Sequence, residues 1–286
     1  MAAGRFTRFA CFDWSGQAVE RPRGIALAVA ARQGPPRLVE HRWSRADALE
    51  WLREVARSGE PMLIGADFSF SLPFTESGAY FPGWSGTPRD GRALWASVDR
   101  LCTDDSYLGV GGMTRHRELA RYFRQHGGRT GDRFGSRGGG RLRVVEARSP
   151  GAASSFNLVG AAQVGKASLA GMRVLHRLGD ALPIWPFVPL PPSGPVLVEI
   201  WTTVAARTAG VGPGRSKLRD AAALTAALTR LGSPDHARLP RYDDHATDAI
   251  LTAAWLRSVA DDPALWSPAG LTPAIAATEG WTFGVP

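Results

Sequence analysis

Cysteine is almost absent: Cys11 and Cys102 are the only two in 286 residues. Two cysteines without metal-ligand spacing exclude a disulfide scaffold and a thiolate zinc site, and they fit a reducing cytoplasm. Lysine is nearly absent too, because all but Lys166 and Lys217 of the 34 basic residues are arginine. No uninterrupted apolar run approaches the ~18 residues of a membrane span. The opening MAAGRFTRFACFDWSG has no apolar stretch followed by a cleavage site. A cytoplasmic chain without a membrane partner is therefore expected.

What is present argues for a folded enzyme-sized domain. Hydrophobic residues make up 44%, with 10 Trp and 12 Phe, which excludes wholesale disorder and supplies a real core. The 34 basic residues outnumber 26 acidic ones, for a net charge of +8. A basic balance suggests a polyanionic partner such as nucleic acid. Arginine-, alanine-, glycine- and proline-rich usage also follows GC-rich coding, but that does not explain the excess over acids.

The chain starts with three strand patterns, at residues 6–12, 24–31 and 37–43, joined by Gly/Pro-containing links as in an antiparallel meander. Ser44 then caps a helix whose stripe is Ala46, Leu49, Trp51, Leu52 and Val55. Residues 61–67 form a continuous apolar run that ends in Asp67, as suits a strand covered on both faces. From 69 to 150 the chain is rich in Gly, Arg and aromatics, with helices expected near 91–101 and 115–126. Residues 127–140 are a basic, low-complexity stretch. We read 74–150 as an insertion or lid within one domain that covers 1–286. Beyond it we expect a short strand at 141–147, a helix at 167–178 and an irregular Pro-rich segment at 183–195. A buried strand at 196–202 and helices at 216–231 and 243–259 follow. The expected fold is α/β, a mixed five-stranded sheet of a three-strand meander plus parallel strands, flanked by helices.

Acids on these apolar strands carry the chemistry. Ionised carboxylates are costly to bury unpaired. Yet Asp13 follows RFACF, Asp67 follows MLIGA and Glu199 sits inside VLVEIW, while Asp244, His245 and Asp248 open a helix. Residues three and four apart share a helical face, so Asp248 can point the same way as Asp244 or His245. Each acid alone has an ordinary structural reading as a turn residue, a cap or a helix N-terminal charge. Together on neighbouring strands they would converge and repel unless a hard divalent cation, Mg2+ or Mn2+, neutralised them. Two such ions would polarise a phosphodiester and generate the attacking hydroxide.

This order of elements resembles the layout of the ribonuclease H-like fold. The residues resemble more particularly the DUF429 family of predicted nucleases of that fold. The matching pieces are Phe12-Asp13-Trp14-Ser15-Gly16, Gly65-Ala66-Asp67 through Leu72-Pro73, Val198-Glu199-Ile200-Trp201, Asp244 through Ala249, and Glu279-Gly280-Trp281, which together span the chain. The chain departs from the family at Trp201-Thr202, where a Tyr-Pro pair is common, and in the Arg/Gly-rich insertion. The resemblance implies that Asp13, Asp67 and Asp248 are catalytic metal ligands, with Asp244 beside them and Glu199 as a ligand or supporting acid. The His245-x-x-Asp248 spacing matches resolvases of this fold, where His assists proton transfer.

For substrate contact, Arg129, Arg133, Arg137, Arg141, Arg143 and Arg148 form a dense cationic run in Gly-rich surroundings, equally readable as a solvent loop. Lys166, in the polar Gln163–Lys166 stretch before a helix, is a further phosphate contact. Tyr80 and Trp84 are placed either to stack bases or to pack. The leading expectation is a Mg2+- or Mn2+-dependent nuclease or phosphodiesterase that acts on nucleic acid. The alternatives are a non-catalytic binding module for nucleotide, nucleic acid or protein on the same fold, and an actin-like ATPase, which usually needs two duplicated cores.

Overall fold

The RFACFD segment has buried side chains on both faces, and it becomes the centre of a sheet. A computed structural model describes residues 4–125, 127, 129–135, 140–160, 163–212 and 218–286. In it, β1 (Arg8–Asp13) pairs antiparallel with β2 (Ala26–Ala31), which pairs antiparallel with β3 (Arg37–Leu38). On its other side β1 runs parallel to β4 (Met62–Ala66). Strand β4 in turn runs parallel to β6 (Val196–Glu199), and β5 (Ile184–Trp185) closes that edge, parallel to β6. The order is β3-β2-β1-β4-β6-β5. The mixed sheet with its meander and parallel half is as expected, but it has six strands where five are expected. The sixth is a two-residue strand inside the Pro-rich segment, where no apolar run long enough to announce a strand exists.

Among the described residues ten α-helices cover the two faces or join the strands: α1 (Arg45–Ser58), α2 (Gly91–Leu101), α3 (Gly111–Thr114), α4 (Val144–Ala147), α5 (Gly165–Leu178), α6 (Thr202–Thr208), α7 (Ala221–Arg230), α8 (Asp244–Val259), α9 (Pro263–Trp266) and α10 (Pro273–Thr278). Helix α1 starts with a capping box, Ser44 against the Asp47 amide and Asp47 against the Ser44 amide. The strand expected at 141–147 is instead the single turn α4, because Glu146 accepts from the Arg143 amide and folds the segment back. The helix expected at 115–126 reduces to a short 3-10 turn at Leu119–Tyr122, with α3 ending just before it. Residues 126, 216 and 217 of the expected helices lie outside the described residues.

The strand alternation sorts side chains between two cores. Ala10, Phe12, Ile64 and Leu197 face one core with residues of α1, α2 and α5. Phe9, Cys11, Leu63, Val196 and Val198 face the other, which is filled by α6, α7 and α8. Tyr80, Phe81, Tyr122 and Phe134, from the stretch read as an insertion, are buried in the first core with the sheet residues. Helix α8 comes so close to β4 that a Cβ on Gly65 would sit 2.9 Å from Ile200 and 3.1 Å from Leu256. Among the described residues no helix is long and apolar enough to cross a membrane.

Candidate functional site

The parity of each strand decides which acids meet. Phe12 pairs with Ala66 in register, and the Asp67 amide donates to the Phe12 carbonyl at 2.9 Å, so Asp13 and Asp67 are the next pair along. Their side chains follow Cys11 and Gly65 onto the α8 face. Neighbouring strands lie about 4.8 Å apart. Asp248, in the second turn of α8, joins them from above. Burial, then the charges of Asp13 and Asp248, hold the Asp67 carboxyl well above the usual carboxylate range, even though the Thr202 amide and hydroxyl each donate to it at 3.3 Å. The buried Cys11 thiol beneath them is likewise pushed up, by burial first and then by Asp67, Asp13 and Asp248. Two different groups therefore register the same three carboxylates.

His245 completes this group. Its Nδ1 meets Asp13 Oδ2 in a short hydrogen bond, and its ring lies partly open. Asp243 caps α8 by accepting from the Ala246 amide, which directs the first turn, and His245 with it, toward the β1 end. Asp244 turns elsewhere, accepting from Arg219 Nε at 3.1 Å and Nη2 at 3.3 Å.

Glu199 belongs to a different constellation. It aligns with Ala66, so it faces the opposite core from Asp67. There it accepts from Arg143 Nη1 at 2.8 Å and Nη2 at 2.5 Å, from the Phe70 amide at 2.6 Å and from the Thr282 hydroxyl at 2.5 Å. Arg143 also donates to Glu146 at 2.9 Å and to the Glu279 carbonyl at 2.9 Å. Glu279 accepts from the amides of Phe74, Thr75 and Val144. A carboxylate with four donors on it is a poor metal ligand, so the assignment of Glu199 to the metal is corrected to a structural one.

The expected arginine cluster is corrected in the same way. Arg143 is 1% exposed and Arg141 7%. Arg141 donates to the carbonyls of Tyr80, Ala79 and Pro73. Arg133 donates to the Pro82 carbonyl and, at 2.8 Å, to the Tyr122 hydroxyl. Arg148 lies over the Trp281 ring. Arg129 is exposed, and Arg137 lies outside the described residues. Tyr80 is fully buried with its hydroxyl on the Thr278 carbonyl, and Trp84 packs edge-on against Phe81, so both pack rather than stack bases.

The open space lies elsewhere. A cavity of about 210 Å3 beside Asp67 is lined by Trp14, Phe68, Ser69, Arg143, Glu199 and Trp201. Two larger clefts, of about 620 and 520 Å3, meet at His245 and Arg23. Their rims carry Arg42, Arg219 and Arg241 on one side and Arg115 and Lys166 on the other. Of the described cations expected to meet substrate, Arg143 lines the cavity beside Asp67 but is bound to Glu199 and Glu146, while Lys166 lines the cleft of about 520 Å3 without an ion pair.

The donor chemistry suits a hard cation. Asp13, Asp67 and Asp248 are carboxylates, the oxygen donors that hard cations take. Among the described residues no group of three or more His, Cys, Asp and Glu side chains is arranged as a metal cage. Mg2+ usually takes one or two carboxylates and keeps several waters, so the in-register pair Asp13 and Asp67 is a sufficient protein share. Glu199 and Asp244 are each held by an arginine, Arg143 and Arg219. Compared with known protein families, with curated proteins and with solved structures, the chain gives no match.

Proposed function

We propose that the protein is a divalent-cation-dependent hydrolase of phosphodiesters, built on a ribonuclease H-like core of the kind that the DUF429 resemblance implies. The observation that carries the reading is the approach of Asp13, Asp67 and Asp248 at the ends of two parallel strands and one helix, where burial first, then the charges of Asp13 and Asp248, push the Asp67 carboxyl above the usual carboxylate range. Storing repulsion at one buried point costs stability, and such groups cluster where function needs them. The sheet order, with an antiparallel meander beside parallel β4 and β6, supports the core assignment.

Asp13 and Asp67 would hold a Mg2+ or Mn2+ ion, with Asp248 beside them. When bound, such an ion neutralises the carboxylates, polarises a phosphoryl oxygen and lowers the pKa of water. The protein's own share is positional. Asp13, accepting from His245 Nδ1, fixes the imidazole tautomer so that Nε2 is the nitrogen able to take or give a proton. Thr202 holds the Asp67 carboxylate in place from the far side.

Purified protein with Mn2+ or Mg2+ should cleave DNA or RNA from a broad panel, and Asp13→Asn should lower the rate at least 100-fold without lowering Tm. An inactive wild type on every substrate, or an Asp13→Asn variant of unchanged rate, contradicts the reading. Phosphate release from ATP alone would favour the ATPase alternative.

A further inference from the structure

The cleft of about 520 Å3 beside His245 has no carboxylate in its lining, although the acids sit next door. Its walls are the loop Trp14–Ala18, the segment Gly109–Arg115 and the first turn of α5, with Arg23, Arg115 and Lys166 turned to it. Arg23 and Lys166 enter no ion pair among the described residues, and Arg115 has only a loose one, 3.6 Å from Asp105. We propose that this cleft is a dedicated phosphate-binding subsite, which holds a phosphate group next to the one that reacts at Asp13 and Asp67. The inference rests on the phosphodiesterase reading for the word "next", but the anion site itself does not.

The walls are held in place before any ligand arrives. Arg45 is 2% exposed, and burial lowers its pKa to about 10. It nonetheless reaches the carbonyls of Ser15 and Gln17 at 2.7 Å and of Tyr107 at 2.8 Å. Arg173, also buried, holds the Gly109 carbonyl at 2.6 Å and Asp99 at 2.8 Å. Between these two clamps Tyr107 and Leu108 adopt positive φ, 56° and 53°, a strained conformation that a firm surround maintains. Gly16 lets the loop lie directly on α5: a Cβ there would come within 2.5 Å of the Ala167 amide nitrogen and 2.7 Å of Lys166. The start of α5, a 14-residue helix, has no side-chain cap; its first amide, Gly165, donates to the Asn157 carbonyl, and the helix dipole adds to the positive field of the three cations. Trp14 lines this cleft, and its buried indole N–H has no hydrogen-bond partner among the described residues.

The test uses the full chain in EDTA, where hydrolysis is silent. Binding of a labelled 12-nucleotide single strand and of inorganic phosphate is measured against salt. The probes are wild type, Arg23→Gln, Arg115→Gln, Lys166→Gln, the triple variant and Arg89→Gln, whose arginine is almost fully exposed elsewhere. Each cleft variant should reduce the slope of log Kd on log salt by about one and the triple variant by two to three, while Arg89→Gln leaves it unchanged. If both probes lose binding, or the oligonucleotide alone does, the subsite serves a polynucleotide backbone. If only inorganic phosphate is bound and lost, it serves a small phosphorylated molecule. Equal slopes in wild type and triple variant, or no binding of either probe by wild type, overturn the proposal. Asp13→Asn should bind as wild type does, so loss of cleavage and loss of the subsite are read separately.

Discussion

Two sets of acids sit at the same end of one sheet and have opposite fates. Glu199, Glu146 and Glu279 are buried on one face around Arg143, with every nearby donor aimed at them. Asp13, Asp67 and Asp248 meet on the other face, where His245 and Thr202 partly offset their repulsion. The first set holds α4, residues 279–282 and β6 together. The second brings carboxylates from β1, the end of β4 and α8 near one another beside a cavity. A carboxylate's availability for chemistry depends on its neighbours' donors, not on its presence at a strand end.

The largest effect expected from this contrast is on stability. Arg143→Met leaves Glu199 and Glu146 buried without their counter-charge, a loss of about 3–5 kcal/mol. Urea denaturation should show it as a lower midpoint at unchanged slope. A loss under 1 kcal/mol would mean that the network is not what holds this face.

A smaller effect of opposite sign is expected across the sheet. Asp67 has a raised pKa in the folded state, so the fold binds that proton more tightly than the unfolded chain does. Its ionisation therefore removes stability as pH rises from the unfolded value, about 4, to the raised folded one. Asp67→Asn does not titrate and can still accept from Thr202. It should raise Tm by a few degrees at pH 8, with the gain vanishing below about pH 4. A lowered Tm at pH 8 would show that Asp67 is structural like Glu199.

How far the sequence foretold this molecule depended on whether the signal was local. The Ser44 cap, the apolar run into Asp67 and the Asp-rich start of α8 are local, and they are legible. The face of Glu199 was not, because VLVEIW is apolar on both sides of the acid and alternation cannot be read from it. Its register against Ala66 carries that information. Arg133 and Arg141 read as surface charge. In a Gly-rich segment they serve instead as donors to loop carbonyls. Arg23 and Arg115 lie 92 positions apart in the chain, and nothing in either neighbourhood announces that they share a cleft.

The most direct test of the central claim is equilibrium Mn2+ binding, followed by the electron paramagnetic resonance signal of the free ion. Saturable binding of one Mn2+ per chain, weakened at least tenfold in both Asp13→Asn and Asp67→Asn and unchanged in Asp244→Asn, is the result expected. Absence of saturable binding, or affinity unaffected by the first two substitutions, would contradict the assignment of these carboxylates to a catalytic cation.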